Sequence, residues 1–458
     1  MTSTTTINPA TGRELATYEN HTDDELAQIV DAAHSAFDDW RRRPLKERAE
    51  IVARIGELLT ERSGDLAKMM TDEMGKLISA GKQEVALCSG ICSWTADNAE
   101  DELADEERHL DGGRAIVSYQ PVGIILGIQP FNFPTYQAVR YSIPQLVVGN
   151  PVLLKHASSV WGSALLLEEI YHEAGVSRDV FRVIKSTNDQ TTGLISNPKV
   201  RGVTLTGSGK AGSIVAAEAG KHLKKTVMEL GSNDAYLVLS DADVSLAAQT
   251  CVQARVYNNG ETCVAAKRFV VVDAVYEEFR DAFVEGMKSI EMGDPNEKST
   301  GLGPIAREDL RDELHEQVTA SIDAGATATL GGEVPDREGW YYPATVLENV
   351  TPGMPAYDDE LFGPVASLIR VANDEEAMRV ANDSRFGLGG GIFSQDVDRA
   401  VELALHEFDT GMINVNGYNL AKPNLPFGGV KDSGYGREHG GFGIKEFVNV
   451  KSVMVTDS

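Results

Sequence analysis

Between residues 122 and 415 the chain alternates short apolar runs with amphipathic stretches of helical length, a pattern that builds a parallel sheet with helices on both faces. Val122-Gly123-Ile124-Ile125-Leu126-Gly127-Ile128 and Pro151-Val152-Leu153-Leu154-Lys155 read as buried strands. Residues 164–173 read as a helix, and 180–184 and Gly202-Val203-Thr204-Leu205-Thr206 as further strands. A second series runs from Ala235-Tyr236-Leu237-Val238-Leu239 through Arg268-Phe269-Val270-Val271-Val272 to Gly411-Met412-Ile413-Asn414-Val415. The expected fold is α/β, two doubly wound lobes of comparable size with Glu229 near their junction. A chain of 458 residues also exceeds one ordinary core, so two or three domains are expected.

Ahead of these lobes the pattern is helical. Leu26, Ile29, Val30 and Ala33 share one helix face, and 45–70 continues in that style. Residues 325–339, with Gly331-Gly332 and Pro335, read as a surface loop. The run Phe447-Val448-Asn449-Val450-Lys451-Ser452-Val453-Met454-Val455 alternates apolar and polar residues, as an edge strand does, and an exposed edge calls for a partner.

Net charge of −27, spread along the whole chain, argues against nucleic acid and anionic membranes as partners, because both bind basic surfaces. It fits an acidic cytoplasmic enzyme and, more sharply, a halophilic surface kept soluble by carboxylates whose repulsion salt screens. The four cysteines have no paired metal-type spacing, so neither a metal site nor a disulfide framework is expected. Met1-Thr2-Ser3-Thr4-Thr5-Thr6 has no basic stretch leading into an apolar core, and no apolar run approaches the ~18 residues of a spanning helix, so neither a secretory signal nor a membrane segment is expected.

Gly207-Ser208-Gly209-Lys210-Ala211-Gly212 follows a strand and opens a helix, matching the dinucleotide fingerprint G-x-G-x-x-G. Glu229 lies where an ordinary Rossmann acid would hold a ribose. A nucleoside-triphosphate loop is disfavoured: its first glycine is replaced by Thr204 and its hydroxyl residue by Ala211.

Three further motifs carry a second chemistry. Cys263 lies in Asn258-Asn259-Gly260-Glu261-Thr262-Cys263-Val264-Ala265-Ala266-Lys267-Arg268, Glu229 in Met228-Glu229-Leu230-Gly231, and Asn132 in Pro130-Phe131-Asn132-Phe133-Pro134. A thiol that attacks a carbonyl, an amide that receives the oxyanion and a carboxylate that activates water are the parts needed to oxidise an aldehyde through a thioester. Cys88, Cys92 and Cys251 read as ordinary buried cysteines. With these motifs the chain resembles the aldehyde dehydrogenase superfamily from end to end, and most nearly its NAD(P)-dependent succinate-semialdehyde dehydrogenases.

The resemblance implies a fold of two lobes plus a small β oligomerisation arm. Residues 1–229 would form the dinucleotide-binding domain, with 108–121 and 440–458 supplying oligomerisation strands. Residues 230–425 would form the catalytic domain, and 426–458 would return to the cofactor domain and the arm. It implies catalytic roles for Cys263, Asn132 and Glu229, Glu229 becoming the water-activating base rather than a ribose ligand. The cofactor, NAD or NADP, would be held by Ile128, Pro130, Phe131, Lys155, Ala157, Ser158, Gly207, Ser208, Gly212, Leu230, Glu360 and Phe362. Many NAD-preferring members carry a glutamate where this chain has Ser158, which leaves NADP open.

For a carboxylated aldehyde the expected contacts are Arg140 and Tyr136, which share a helix face, together with Arg255 and Asn424. Tyr418 and Lys422 are further pocket residues in this reading. The expected partners are the small aldehyde substrate and further copies of the chain, as a homodimer or homotetramer. Three readings stand at this point: an aldehyde dehydrogenase for succinate semialdehyde or another aldehyde, a catalytically retired homologue, and an ordinary alcohol or hydroxy-acid dehydrogenase that would leave Cys263 idle.

Overall fold

The computed structural model describes residues 3–456; the ends of the stretches expected at 1–229 and 426–458 lie outside the described residues. A hairpin of β1 (Ser3–Asn8) and β2 (Arg13–Glu19) opens the chain. Sequence reading missed it because β1 is mostly polar and β2 is largely exposed, so neither is a continuous apolar run. Four helices follow: α1 (Asp23–Arg42), α2 (Leu45–Glu61), α3 (Ser63–Met74) and α4 (Ile78–Glu102). Thr22 and Glu25 form a reciprocal capping box at the start of α1, a device worth about 1 kcal/mol. The stretch read as one helical region over 45–70 is two helices, divided at Arg62. Next come β3 (Glu106–Leu110) and β4 (Gly113–Pro121).

The first lobe is β5 (Ile124–Gln129), α5 (Pro134–Val148), β6 (Val152–His156), α6 (Trp161–Glu173), β7 (Phe181–Val183), α7 (Asn188–Ser196), β8 (Val200–Thr206), α8 (Gly209–Lys221) and β9 (Lys225–Glu229). Its strands lie in the order β9-β8-β5-β6-β7, all parallel. Successive residues of one strand face opposite cores: Leu153 packs with Leu26 and Val30 of α1, whereas Leu154 packs with Leu146 and Leu167 of α5 and α6.

The second lobe holds β10 (Ala235–Val238), α9 (Val244–Val256), β11 (Arg268–Val272), α10 (Asp273–Lys288), α11 (Glu308–Asp323), β12 (Thr327–Leu330), β13 (Thr345–Glu348), α12 (Pro355–Asp358), β14 (Val365–Val371), α13 (Asp374–Asn382), β15 (Phe386–Gly387), β16 (Gly390–Phe393), α14 (Val397–His406) and β17 (Asn414–Val415). Its sheet runs β12-β13-β14-β11-β10-β16-β17, and only β12 is antiparallel. Here too alternation divides the core: Leu237 and Val270 face one side, Tyr236 and Phe269 the other. The loop expected over 325–339 begins as β12, an edge strand.

The chain then returns to the first lobe. Of β18 (Val430–Lys431) and β19 (Gly434–Tyr435), the second pairs with β9, placing Gly434 opposite Glu229. After α15 (Phe442–Glu446) the final strand, β20 (Val448–Thr456), pairs with β4 along its whole length and forms the edge of a three-stranded β20-β4-β3 sheet. Among the described residues no helix is long and apolar enough to cross a membrane.

Candidate active site

The carboxyl ends of the parallel strands in the first lobe carry the site, as open α/β sheets generally do. Asn132 follows β5, Gly207 follows β8, and Glu229 is the last residue of β9. Cys263 comes from the second lobe, in the connection between α9 and β11. That connection turns sharply through three left-handed residues, Asn258, Asn259 and Gly260, with φ of 54°, 58° and 79°. A side chain at Gly260 would meet the Gly363 carbonyl carbon at 2.3 Å, so only glycine fits there. The Asn258-Asn259-Gly260 triplet was a readable signal of this backbone, because asparagine and glycine tolerate that region best.

Side-chain amides lock the two lobes together at this loop. Asn132 Nδ2 donates to the Glu261 carbonyl at 3.0 Å, and Asn258 Nδ2 donates to the Asn132 carbonyl at 2.9 Å. Asn259 Nδ2 reaches the carbonyls of Gly75 and Pro304. The amide of Asn132 has two N–H groups, so one remains for an oxyanion. Cys263 is half-buried, and burial pushes its thiol up to about 12. Arg140 and Lys267 pull it back down, while Glu360 and Glu229 add to the rise.

Asn132 owes its placement to α5, which begins with Pro134, a residue suited to a first helical turn. Glu84 on α4 caps this helix, its Oε1 accepting the N–H groups of Thr135 and Tyr136 at 2.8 Å each. Lys76 pairs with Glu84 in full burial and sits over the Phe133 ring, 3.9 Å from its centroid. Neither residue had been singled out from the sequence, because the α5 amides that Glu84 caps lie some fifty residues away.

Glu229 is buried, and neither of its carboxyl oxygens has a hydrogen-bond partner among the described residues. Burial raises its pKa well above the ordinary carboxyl range, and Arg140 opposes the rise. Arg140 is not the open guanidinium expected from the sequence: it is 1% exposed, ion-paired with Glu438, and donates from Nη2 to Thr206 Oγ1 at 2.9 Å. Its guanidinium lies over the rings of Tyr136 and Phe427, which bears out the shared face with Tyr136. Only Nη1 remains without a partner among the described residues. Tyr136 spends its hydroxyl on His439 Nε2 at 2.9 Å. Arg255 is fully buried and donates to the Gly260 carbonyl at 2.6 Å, so it braces the cysteine loop from beneath. Asn424 and Lys422 lie on the exposed surface. Tyr418 meets Tyr257 edge to face, and its own buried hydroxyl has no hydrogen-bond partner among the described residues.

A cleft of about 900 Å³ runs between the lobes and brings together Pro130, Phe131, Asn132, Gly207, Ser208, Gly212, Leu230, Cys263, Glu360 and Phe362. Ile128 and Lys155 pair across β5 and β6, and the Ala157 N–H bonds the Gln129 carbonyl at 2.8 Å, but none of these three lines that cleft. Ser158 lines a second cleft of about 480 Å³ beside Arg307 and Trp340. The main cleft fits a dinucleotide. Ser208 caps α8 by accepting the Ala211 N–H, which leaves the N–H groups of Gly209 and Lys210 at the helix mouth for an anion. Gly212 permits close packing, since a Cβ there would meet Leu230 at 2.4 Å. Phe131 and Phe362 meet edge to face at 6.3 Å across the cleft.

Sequence reading passed over Lys267 although it stands four residues after Cys263. It passed over Glu438 and His439 because only the fold brings them to Arg140 and Tyr136.

The aldehyde dehydrogenase family model matches residues 1–453. The succinate semialdehyde dehydrogenase [NAD(P)+] of Escherichia coli is 41% identical over 447 residues, covering 98% of this chain and 96% of that protein. The succinate-semialdehyde dehydrogenase [NADP(+)] of Deinococcus radiodurans is 42% identical over 98% of this chain and 94% of its own length. Among solved structures, the succinic semialdehyde dehydrogenase of Streptococcus pyogenes in complex with NADP+ superposes with a TM-score of 0.97 at 38% identity, covering 99% of this chain and 100% of that one. A cysteine and an asparagine amide thus line the cleft, with the buried Glu229 within electrostatic reach of the thiol, in a fold shared along its whole length with these proteins, and the chain belongs to the aldehyde dehydrogenase family.

Proposed function

We propose that the protein oxidises succinate semialdehyde, a short carboxylated aldehyde, to succinate with NAD+ or NADP+, and does so as a cytoplasmic homo-oligomer. The observation that carries the reading is the convergence of Cys263, Asn132 and Glu229 from separate strand ends and separate lobes, with one buried arginine, Arg140, acting on both the thiol and the carboxyl. The family and the named activities of the relatives support the aldehyde and the dinucleotide. The relatives named for NAD(P)+ and for NADP(+) support either dinucleotide.

The Cys263 thiolate attacks the aldehyde carbon, and the oxyanion is received by the Asn132 amide and the Cys263 backbone N–H. Loss of one such donor costs about 3–4 kcal/mol of transition-state stabilisation. The α8 mouth, Glu360 and Phe362 would hold the dinucleotide, which would supply the hydride acceptor for the oxidation. Glu229 then takes a proton from water, which cleaves the thioester and frees the acid and the thiol.

Arg140 carries the preference for a carboxylate through its unpaired Nη1. Arg140→Ala would strand Glu438 as a buried unpaired charge, so the informative variant is Arg140→Met with Glu438→Gln. The test is kcat/KM for succinate semialdehyde against an uncharged aldehyde of equal length, with each cofactor. The wild type should favour the carboxylated aldehyde, and the double variant should lower that ratio about ten- to a hundredfold, the worth of a charge-assisted hydrogen bond. No preference in the wild type would reject the succinate-semialdehyde reading and leave the family's general reaction.

A further inference from the structure

Lys267 stands between the nucleophile loop and β11 and is 2% exposed. Its Nζ donates to the Cys263 carbonyl at 2.5 Å, to Ser232 Oγ at 3.0 Å and to the Thr262 carbonyl at 3.2 Å, and it pairs with Glu360 Oε1 at 3.1 Å. Ser232 in turn donates to the same Cys263 carbonyl. An ammonium has three N–H groups, and four oxygens surround this one. If the carboxylate left, each N–H would still have an acceptor. Glu360 lines the cleft with its side chain 19% exposed, so it is the one of the four with somewhere else to turn.

We propose that Lys267 is a positioning residue that couples occupation of the cleft at Glu360 to the nucleophile: when Glu360 turns to a bound dinucleotide, Lys267 stays on the Cys263 carbonyl as an uncompensated cation beside the thiol. This rests on the reading of Glu360 as a dinucleotide contact. The charged groups around the thiol are Arg140 from α5, Glu229 from β9, Glu360 from the loop after α12, and Lys267 itself, with the phenols of Tyr136 and Tyr418 nearby. Arg140 is committed to Glu438, and Glu229 is buried and is not among the residues that line the cleft, whereas Glu360 is. The Lys267 and Glu360 pair is therefore the adjustable part of this field. While paired, the two charges largely cancel at the sulfur; once separated, the cation favours the thiolate.

The test is the pH midpoint of Cys263 alkylation by iodoacetamide, with and without NAD+ or NADP+, dinucleotide binding being measured independently by calorimetry. The other three cysteines are buried, so the reagent reports Cys263. The midpoint is read rather than the rate, so shielding of the thiol by the cofactor does not mimic the effect. In the wild type the cofactor should lower the midpoint by about one pH unit, a tenfold gain in thiolate at fixed pH. Lys267→Met should raise the midpoint of the free enzyme and abolish the cofactor shift. Lys267→Arg, which keeps the charge, should restore part of the shift. Glu360→Gln should lower the midpoint with no cofactor present. Dinucleotide binding without any midpoint shift in the wild type, or a Lys267→Met shift equal to the wild type's, would overturn the coupling alone; no dinucleotide binding at all would overturn the functional reading beneath it. Should Lys267→Met fail to fold, Glu360→Gln still decides: a midpoint at or above the wild type's refutes the proposal.

Discussion

Glu229 sits at a strand end with both carboxyl oxygens unpartnered and a pKa raised first of all by burial. A raised carboxyl keeps its proton in the folded state after the unfolded chain has lost it. Folding stability from this group therefore falls as pH rises from the ordinary carboxyl value of 4.5 towards the raised folded value. Glu229→Gln, which cannot ionise, should melt progressively higher than the wild type as pH goes from 5 to 8, and an equal offset at both pH values would contradict the burial argument. The same variant should give a first-turnover burst of reduced cofactor followed by slow release, because acylation does not need the base; Cys263→Ala should give no burst at all. The three groups proposed to react were legible as candidates in the sequence because each lies in a short local motif. The electrostatic groups that tune them were not, since nothing local tells a lysine or glutamate to point inward. Arg140 lies between these cases: its helix face was readable, whereas its commitment to Glu438 depends on a chain return nearly three hundred residues later.

At the scale of elements, the oxyanion amide depends on how α5 is started. Glu84 satisfies two N–H groups of its first turn and complements the helix dipole, and Lys76 neutralises Glu84 in full burial. Glu84→Ala would leave both the amides and the lysine unsatisfied, and removing one partner of a buried pair costs about 3–5 kcal/mol. Glu84→Gln combined with Lys76→Met keeps an acceptor for the amides and removes both charges, so denaturant unfolding should show it markedly more stable than Glu84→Ala. Equal stability would show that the cap contributes nothing. The strands of both lobes were readable because buried parallel strands are continuous apolar runs. The β1 and β2 hairpin and the edge strand β12 escaped because exposed strands carry no such run, and their pairing depends on partners rather than on their own composition.

For the whole molecule, the open question in the chain is what meets β20. Val450, Val453, Met454 and Val455 are exposed along an edge strand that its own chain covers only through β4, a surface natural sheets seldom leave bare. Deleting everything from Phe447 onward would be a poor test, because Phe447 is buried against the first sheet and its carbonyl accepts from Asn150. Val453→Lys with Met454→Asp leaves that anchor intact and should lower the sedimentation mass if the arm joins subunits; unchanged mass would refute the assembly role. The net charge of −27 gives the assembly a second, independent dependence on its surroundings. Like charges repel within each subunit and again across any interface between identical copies, and the Debye length shortens from about 10 Å at 0.1 M salt to about 3 Å at 1 M. Raising KCl over that range should therefore raise both the melting temperature and the sedimentation mass of the wild type. In the Val453→Lys and Met454→Asp variant only the melting temperature should respond, since the repulsion within one subunit remains after the interface is gone. A wild type whose melting temperature is flat or falls with salt would reject the high-salt reading of the surface, and a variant whose mass still rises with salt would place the subunit contact away from β20.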